Sequence, residues 1–292
     1  MLLEMKALAW LILAYAVYAK EIEMVVSRYA EPLDWLASEP FVADRYVIYN
    51  KGINPIECPA GTDCYVEQVD NVGRCDHTYL HHIISRYNNL ADVTVFLPGS
   101  VDAELKYKWS RKVMKQVHET QNTVFARAFS VDIVTRFEDY EKTGSYICNN
   151  AANRELNPDF VLQPCSVRPF GNWYRKNFPD QPVYGFQMYG VFAVAREHIV
   201  QHPIDYYKKL ISYVDHHHNP EAGFFFEVGW GAVFSPFPEE LLVPCTTKDE
   251  FFYFRCDSDI PSSLTSDDAS VASFSSPGAT LILALLMLVS LI

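Results

Sequence analysis

The sequence predicts a single α/β domain whose central sheet is mixed, mostly parallel, and flanked by helices. Three observations predict it. Residues 21–29 and 45–49, EIEMVVSRY and RYVIY, are β-rich runs, and the stretch between them opens at Pro32 as a short helix; strand–helix–strand is the order of a parallel, right-handed crossover. Residues 71–100, NVGRCDHTYLHHIISRYNNLADVTVFLPGS, pass from a glycine turn through an amphipathic helix to a buried strand that stops on a loop. Apolar residues make up 49% of the 292-residue chain, enough for a real core and against global disorder.

Taken in order, residues 21–29 form the first strand. Residues 30–36 form a helix with Asp34 in its first turn. The second strand, 45–49, stops at Asn50, Lys51 and Gly52. Residues 53–70 read as a loop, rich in Pro and Gly and clipped by a Cys58–Cys64 disulfide. In 71–100, Asp76 is placed to cap the helix, Leu80, Ile83, Ile84 and Tyr87 share its apolar face, and Asn88 and Asn89 end it. Residues 93–97 are the buried strand, with Pro98, Gly99 and Ser100 at its tip. Residues 108–119 form a charged surface helix, 124–137 suit strand or helix, and 149–164 form a loop pinned by cysteines. An aromatic, basic island, FGNWYRKNF, occupies 170–178. Residues 184–194 are strand-like. Residues 196–214 are helical and broken at Pro203, with Tyr207, Leu210, Ile211 and Val214 on the apolar face. FFFEVGWGAVF, 224–234, is the last buried segment, and no internal repeat occurs.

The two ends give an address. Residues 1–19 carry Lys6 and then an apolar run of about 13 residues, too short to cross a membrane core, ending on small residues: a secretory signal peptide cut after Ala19. The folded domain spans 20–257. A Ser/Asp-rich linker, 258–278, leads to an apolar tail, 279–292, the pattern of a glycosylphosphatidylinositol-attachment signal or membrane tail. The expected setting is the secretory pathway and cell surface, anchored on the extracellular side. Seven cysteines suit an oxidising compartment, and proximity pairs Cys148 with Cys165 and Cys245 with Cys256. The net charge of −12 disfavours a nucleic-acid partner, which needs a basic face, but leaves room for a local basic pocket.

Several residues are candidates for chemistry. His77 and His81 share a helix face at i, i+4, a spacing that holds a metal; an ordinary polar flank gives the same pattern. His216, His217 and His218 lie in a turn. Glu227 sits among apolar residues, where desolvation raises a carboxyl pKa toward that of a general base; a structural ion pair is the competing role. Arg28 ends the first strand and Asn50 with Lys51 the second, and Arg74 joins them from the glycine turn. In an open parallel sheet these tips lie along one edge and suit a diphosphate. Cys75 reads as a structural or idle thiol outside the cytosol. There is no nucleophile elbow, P-loop, dinucleotide fingerprint or HExxH motif, which disfavours hydrolase, nucleotide triphosphatase, dehydrogenase and zincin classes.

The ordered set MVVSRYAEPLDWL, VIYNKG, NVGRCDHTYLHHIISRYNNLADVTVFLPGS, FAVAREHIVQHPIDYYKKL and NPEAGFFFEVGW resembles the domain of unknown function numbered 3431. Its layout is similar to the GT-A glycosyltransferases, which use nucleotide-diphosphate sugars. The resemblance implies that Asn71 and Gly73 form the turn opening the helix and that Glu227 is the late carboxylate, the acceptor base. It also implies a Mn²⁺ or Mg²⁺ ion held by a DxD motif after the buried strand. This chain has Pro98-Gly99-Ser100 there, with Asp102 just beyond, and Cys75 where the pattern has an acidic residue. Two readings follow: sugar transfer from a nucleotide sugar to an acceptor, leaning on Arg28, Arg74 or Lys51 in place of metal, or a catalytically inactive glycan-binding or adhesion protein in which Trp173 and Tyr174 stack on saccharide.

Overall fold

The computed structural model describes residues 19–102, 104–126, 162–181 and 187–243. The leader other than Ala19, the linker and the apolar tail lie outside them, as do Cys148, Cys245 and Cys256. β1 (Ile22–Arg28) is the middle strand, with all seven residues buried. Neither of its faces meets solvent, because helices and loops cover both sides of the sheet, and its polar Glu23, Ser27 and Arg28 are buried with the aliphatic residues. β1 pairs in parallel with β2 (Arg45–Asn50) on one side and with β4 (Val93–Pro98) on the other. β3 (Cys64–Gln68) extends the sheet in parallel beyond β2, and β6 (Phe192–Ala195) closes the far edge antiparallel to β4. The order is β3-β2-β1-β4-β6. The α/β domain and its mostly parallel sheet are as the sequence predicts.

Side chains alternate across β1. Val25 enters the core under α1 (Arg74–Arg86), α3 (Phe170–Asn177), α5 (Ile204–Ile211) and α6 (Glu221–Val233). Met24 and Val26 enter the core under residues 33–41 and α2 (Glu104–Thr120). A short helix α4 (Arg196–Val200) precedes α5 and breaks from it at Pro203. The strands β5 (Phe125–Ala126) and β7 (Leu242–Val243) pair beside the main sheet.

Several expectations are corrected. Residues 30–36 form no helix. Leu36 N–H bonds Leu33 O and Ser38 N–H bonds Trp35 O, and Ala37 at φ 60° turns the chain away before a helical repeat is made. Leu33, Trp35 and Leu36 sink into the core from this turn. The 53–70 loop contains β3, a half-exposed edge strand whose five residues carry too little apolar signal to stand out. The Cys58–Cys64 disulfide forms, but Cys165 is a free, buried cysteine rather than the partner of Cys148; it is placed by its N–H bond to Glu221 Oε2 at 2.8 Å. Asp76 is not the cap of α1. Gly73 holds that position at φ 61°, and Asp76 lies in the first turn.

One buried polar group braces the sheet. Glu23 on β1 accepts from Arg45 Nε at 2.5 Å, and His82 Nε2 on α1 lies 3.0 Å from its other oxygen. Burial raises the Glu23 carboxyl, but His82 and Arg45 outweigh it and hold the group below its ordinary value. Burial lowers His82, so the ring is neutral and its Nδ1 accepts from the Tyr49 hydroxyl at 3.1 Å.

Candidate functional site

From β1 the chain builds β2 and β3 on one side and then crosses to β4 on the other, so strand order reverses between β1 and β4. The crevice beyond the carboxyl ends of such strands is where open α/β sheets bind ligands. Here the two tips are tied together. Gly99 N–H bonds Ser27 O at 2.7 Å, and the Trp35 indole donates to Gly99 O at 3.1 Å. A Cβ on Gly99 would lie 3.0 Å from Glu31 Oε2 and 3.2 Å from Arg28 Cα, so a larger residue here would make these neighbours give by a few tenths of an ångström.

Three further segments reach this edge. The first is the opening turn of α1, with Arg74, Cys75 and Asp76. The second is α6, which packs across it. Gly223, Glu227 and Trp230 are spaced i, i+4, i+7 and lie along one stripe of the helix. A Cβ on Gly223 would sit 3.1 Å from Asp76 Oδ2 and 3.5 Å from Arg74 Cδ, and the Trp230 indole donates to Asp76 Oδ1 at 3.0 Å. Glu227 lies between these two contacts on the stripe. The Arg74 guanidinium lies 4.4 Å from the centre of the Phe224 ring. The third segment is the start of α2, where Lys106 Nζ donates to Ser100 Oγ at 2.6 Å. The turn Met188–Gly190 bridges the first and third segments. Lys106 Nζ is 5.5 Å from the Tyr189 ring centre, and a Cβ on Gly190 would meet Cys75 Sγ at 2.9 Å. Tyr189 and Arg74 adopt φ of 64° and 52°, and such non-glycine conformations concentrate at functional sites.

The electrostatics follow from burial. Desolvation first, then the charge of Glu227, push the Asp76 carboxyl up to about 7. Desolvation lowers Lys106, which also feels Cys75, Arg74, Glu31 and Glu227. Desolvation and Asp76 push the Cys75 thiol up, so it stays protonated and is no poised nucleophile. The site thus sets two cations, Arg74 and Lys106, against two carboxylates, one of which holds a proton near neutral pH.

The other candidates divide. Arg28 is buried and spoken for: Nη1 donates to Asn50 Oδ1 at 2.7 Å and Asn54 O at 2.9 Å, and Nε to Glu31 O at 2.9 Å. Asn50 Nδ2 holds Gly52 O, Asn54 O and Gln68 Oε1. Lys51 Nζ donates to Val72 O at 2.5 Å and to Arg74 O, and burial lowers its pKa to about 8. These three groups lock the tips of β1, β2 and β3 and the turn before α1. Asn71 is exposed, and Gly73 N–H is taken by His217 O at 2.7 Å. Asp102 is exposed. His77 and His81 stack at 5.9 Å, and His81 Nε2 meets Glu67 Oε1 at 3.1 Å. Burial, Lys51 and His81 lower His77 to about 3. Among the described residues no three His, Cys, Asp or Glu side chains gather to hold a metal ion. Trp173 and Tyr174 are core residues at 0% and 2% exposure, so they offer no face to a saccharide. The island is amphipathic, and its aromatic side packs inward on α6.

Sequence reasoning misses Lys106 and undervalues Asp76. Lys106 has the pattern of the charged margin of a surface helix. Its one signal is position, six residues past the tip of the buried strand. Asp76 is visible only as a helix-start carboxylate, because Trp230, its partner, is 154 residues away.

A family model described as Protein of unknown function (DUF3431) matches residues 24–250. No curated protein matches the chain.

Proposed function

We propose, for this chain that belongs to the DUF3431 family, a glycosyltransferase-like activity: transfer of a sugar from a nucleoside-diphosphate donor to an acceptor hydroxyl. The observation that supports it is the meeting of Arg74, Asp76 and Glu227 at the crevice between β1 and β4. Arg74 presents a planar fork of donors suited to a diphosphate. Glu227, one helical turn from Gly223, takes the acceptor's proton as the hydroxyl oxygen bonds the sugar's anomeric carbon. The bond from that carbon to the diphosphate breaks, and the diphosphate leaves with its electron pair against Arg74. Asp76 carries a proton near neutral pH, so it adds no second full negative charge beside the departing diphosphate.

The expected leader and apolar tail support a setting on the extracellular side of a membrane. The glycan-binding alternative has lost its aromatic platform, since Trp173 and Tyr174 are buried. The test is turnover: the full chain is incubated with nucleoside-diphosphate sugars and mixed glycan acceptors, and release of nucleoside diphosphate is followed. Acceptor-dependent release that Glu227→Gln cuts by about 10²-fold or more supports the reading. Equal release by the variant and the parent protein removes Glu227 as base.

A further inference from the structure

We infer that Lys106 supplies, at the tip of β4, the positive charge that a divalent cation supplies in the layout the sequence resembles, so that the donor's diphosphate is bound without metal. The inference rests on the functional reading above and adds its electrostatics.

The residues at that tip do not fit a metal ion. Where a carboxylate pair would begin, the chain has Ser100, a neutral hydroxyl, and its Oγ is taken by Lys106 Nζ at 2.6 Å. Ser100 and Lys106 are 6% and 9% exposed, so a dication beside Ser100 would face an ammonium that little water screens. Among the described residues the ammonium's hydrogen bond goes to this uncharged oxygen alone, and no carboxylate lies within ion-pair distance of it. A buried charge without a counter-charge is costly, and bringing one is what an anionic ligand does.

The surroundings say which anion. Lys106 and the α1 turn flank the same Met188–Gly190 segment, Lys106 over Tyr189 and Cys75 against Gly190. Arg74 follows directly on Gly73 at that turn and, through the field it exerts on Lys106, is near enough to lower it. A ligand lying between them meets one cation from α1 and one from α2. Two separated cations match the two phosphates of a diphosphate. Glu31 and Glu227 also act on Lys106 electrostatically, in the sense opposite to Arg74, but neither forms an ion pair with it.

The experiment is a calorimetric titration of the full chain with UDP, GDP and ADP, in EDTA and in Mn²⁺, for the parent protein, Lys106→Met and Lys115→Met. The inference expects one diphosphate to bind with a Kd that differs less than threefold between EDTA and Mn²⁺. It expects Lys106→Met to weaken that binding at least tenfold, and Lys115→Met, which removes an exposed charge from the same helix, to stay within threefold of the parent. A tenfold or greater tightening by Mn²⁺ in the parent protein overturns it, and this arm needs no variant to fold. So does wild-type affinity in Lys106→Met. If the parent protein binds no diphosphate in either buffer, the functional reading falls first, a result distinct from binding that depends on metal.

Discussion

Trp230 on α6 donates its indole hydrogen to the Asp76 carboxylate at the start of α1, a 3.0 Å bond across 154 residues. It joins the helix that carries Glu227 to the turn that carries Arg74. Removing the donor in Trp230→Phe leaves a buried carboxyl oxygen without its partner, which costs about 1–3 kcal/mol. The Asp76 pKa rises further, because that bond favours the charged form. The expected outcome is a lower denaturation midpoint with an unchanged slope in a denaturant titration.

Asp76 also sets a pH dependence. Its folded pKa of about 7 exceeds the ordinary 3.8, so the folded state binds more protons between those values. Stability from this group is therefore present below about pH 4, declines as pH rises toward 7, and levels off above it. A tenfold difference in proton affinity between folded and unfolded chain is worth about 1.4 kcal/mol. Asp76→Asn, which still offers an oxygen to Trp230, is expected to gain stability over the parent as pH rises from 4 to 7, by on the order of a few kcal/mol. Melting curves at pH 4, 5.5 and 7.5 measure it, and a gap that is constant with pH contradicts the assignment.

Glu23 has the opposite sign. Its pKa is held below 4.5, so its contribution is present at neutral pH and lost as pH falls below the ordinary carboxylate range. Glu23→Gln removes the buried carboxylate shared by Arg45 Nε and the neutral His82 ring, leaving Arg45, among the described residues, only its pair with Glu21 at 3.1 Å. The expected cost at pH 7 is about 3 kcal/mol, the low end for breaking a buried pair, since Arg45 keeps some contact with water. Urea unfolding at pH 7 and pH 4 should show the difference between variant and parent shrinking at the lower pH.

Gly73 tests the turn. It sits at φ 61°, and a Cβ there would lie 2.1 Å from Val214 O and 2.5 Å from His77 Cβ. Gly73→Ala is expected to cost more than about 1 kcal/mol, because φ is unfavourable and backbone must move. Thermal unfolding reads it, and diphosphate binding should weaken with it as the Arg74 turn shifts.

The sheet is legible in the sequence because its signals are local. The aliphatic runs of β1 and β4 and the 3.6-residue spacing of Leu80 and Ile83 state their own burial. The turn at 33–37 mimics a helix because Pro32 and Asp34 are good helix openers, while the deciding event, Ala37 entering the left-handed region, leaves no trace in residue type. The candidate site is half legible. Arg74 and Glu227 carry recognisable chemistry, and both reach the crevice. Arg28, Asn50 and Lys51 stand at the right edge, but each donor faces a carbonyl or amide oxygen of the adjoining loops, and spacing cannot reveal which lone pairs claim a cation. The same limit hides Lys106, whose burial depends on Tyr189 and Ser100.

The most direct test of the account is the affinity of the full chain for nucleoside-diphosphate sugars, measured by calorimetry in the parent protein, Arg74→Met and Glu227→Gln. The account predicts saturable binding of one donor at a single site, at least tenfold weaker in Arg74→Met and within threefold of the parent in Glu227→Gln, whose acceptor hydroxyl is absent from the titration. No binding of any donor by the parent protein, or equal affinity in Arg74→Met, would contradict it.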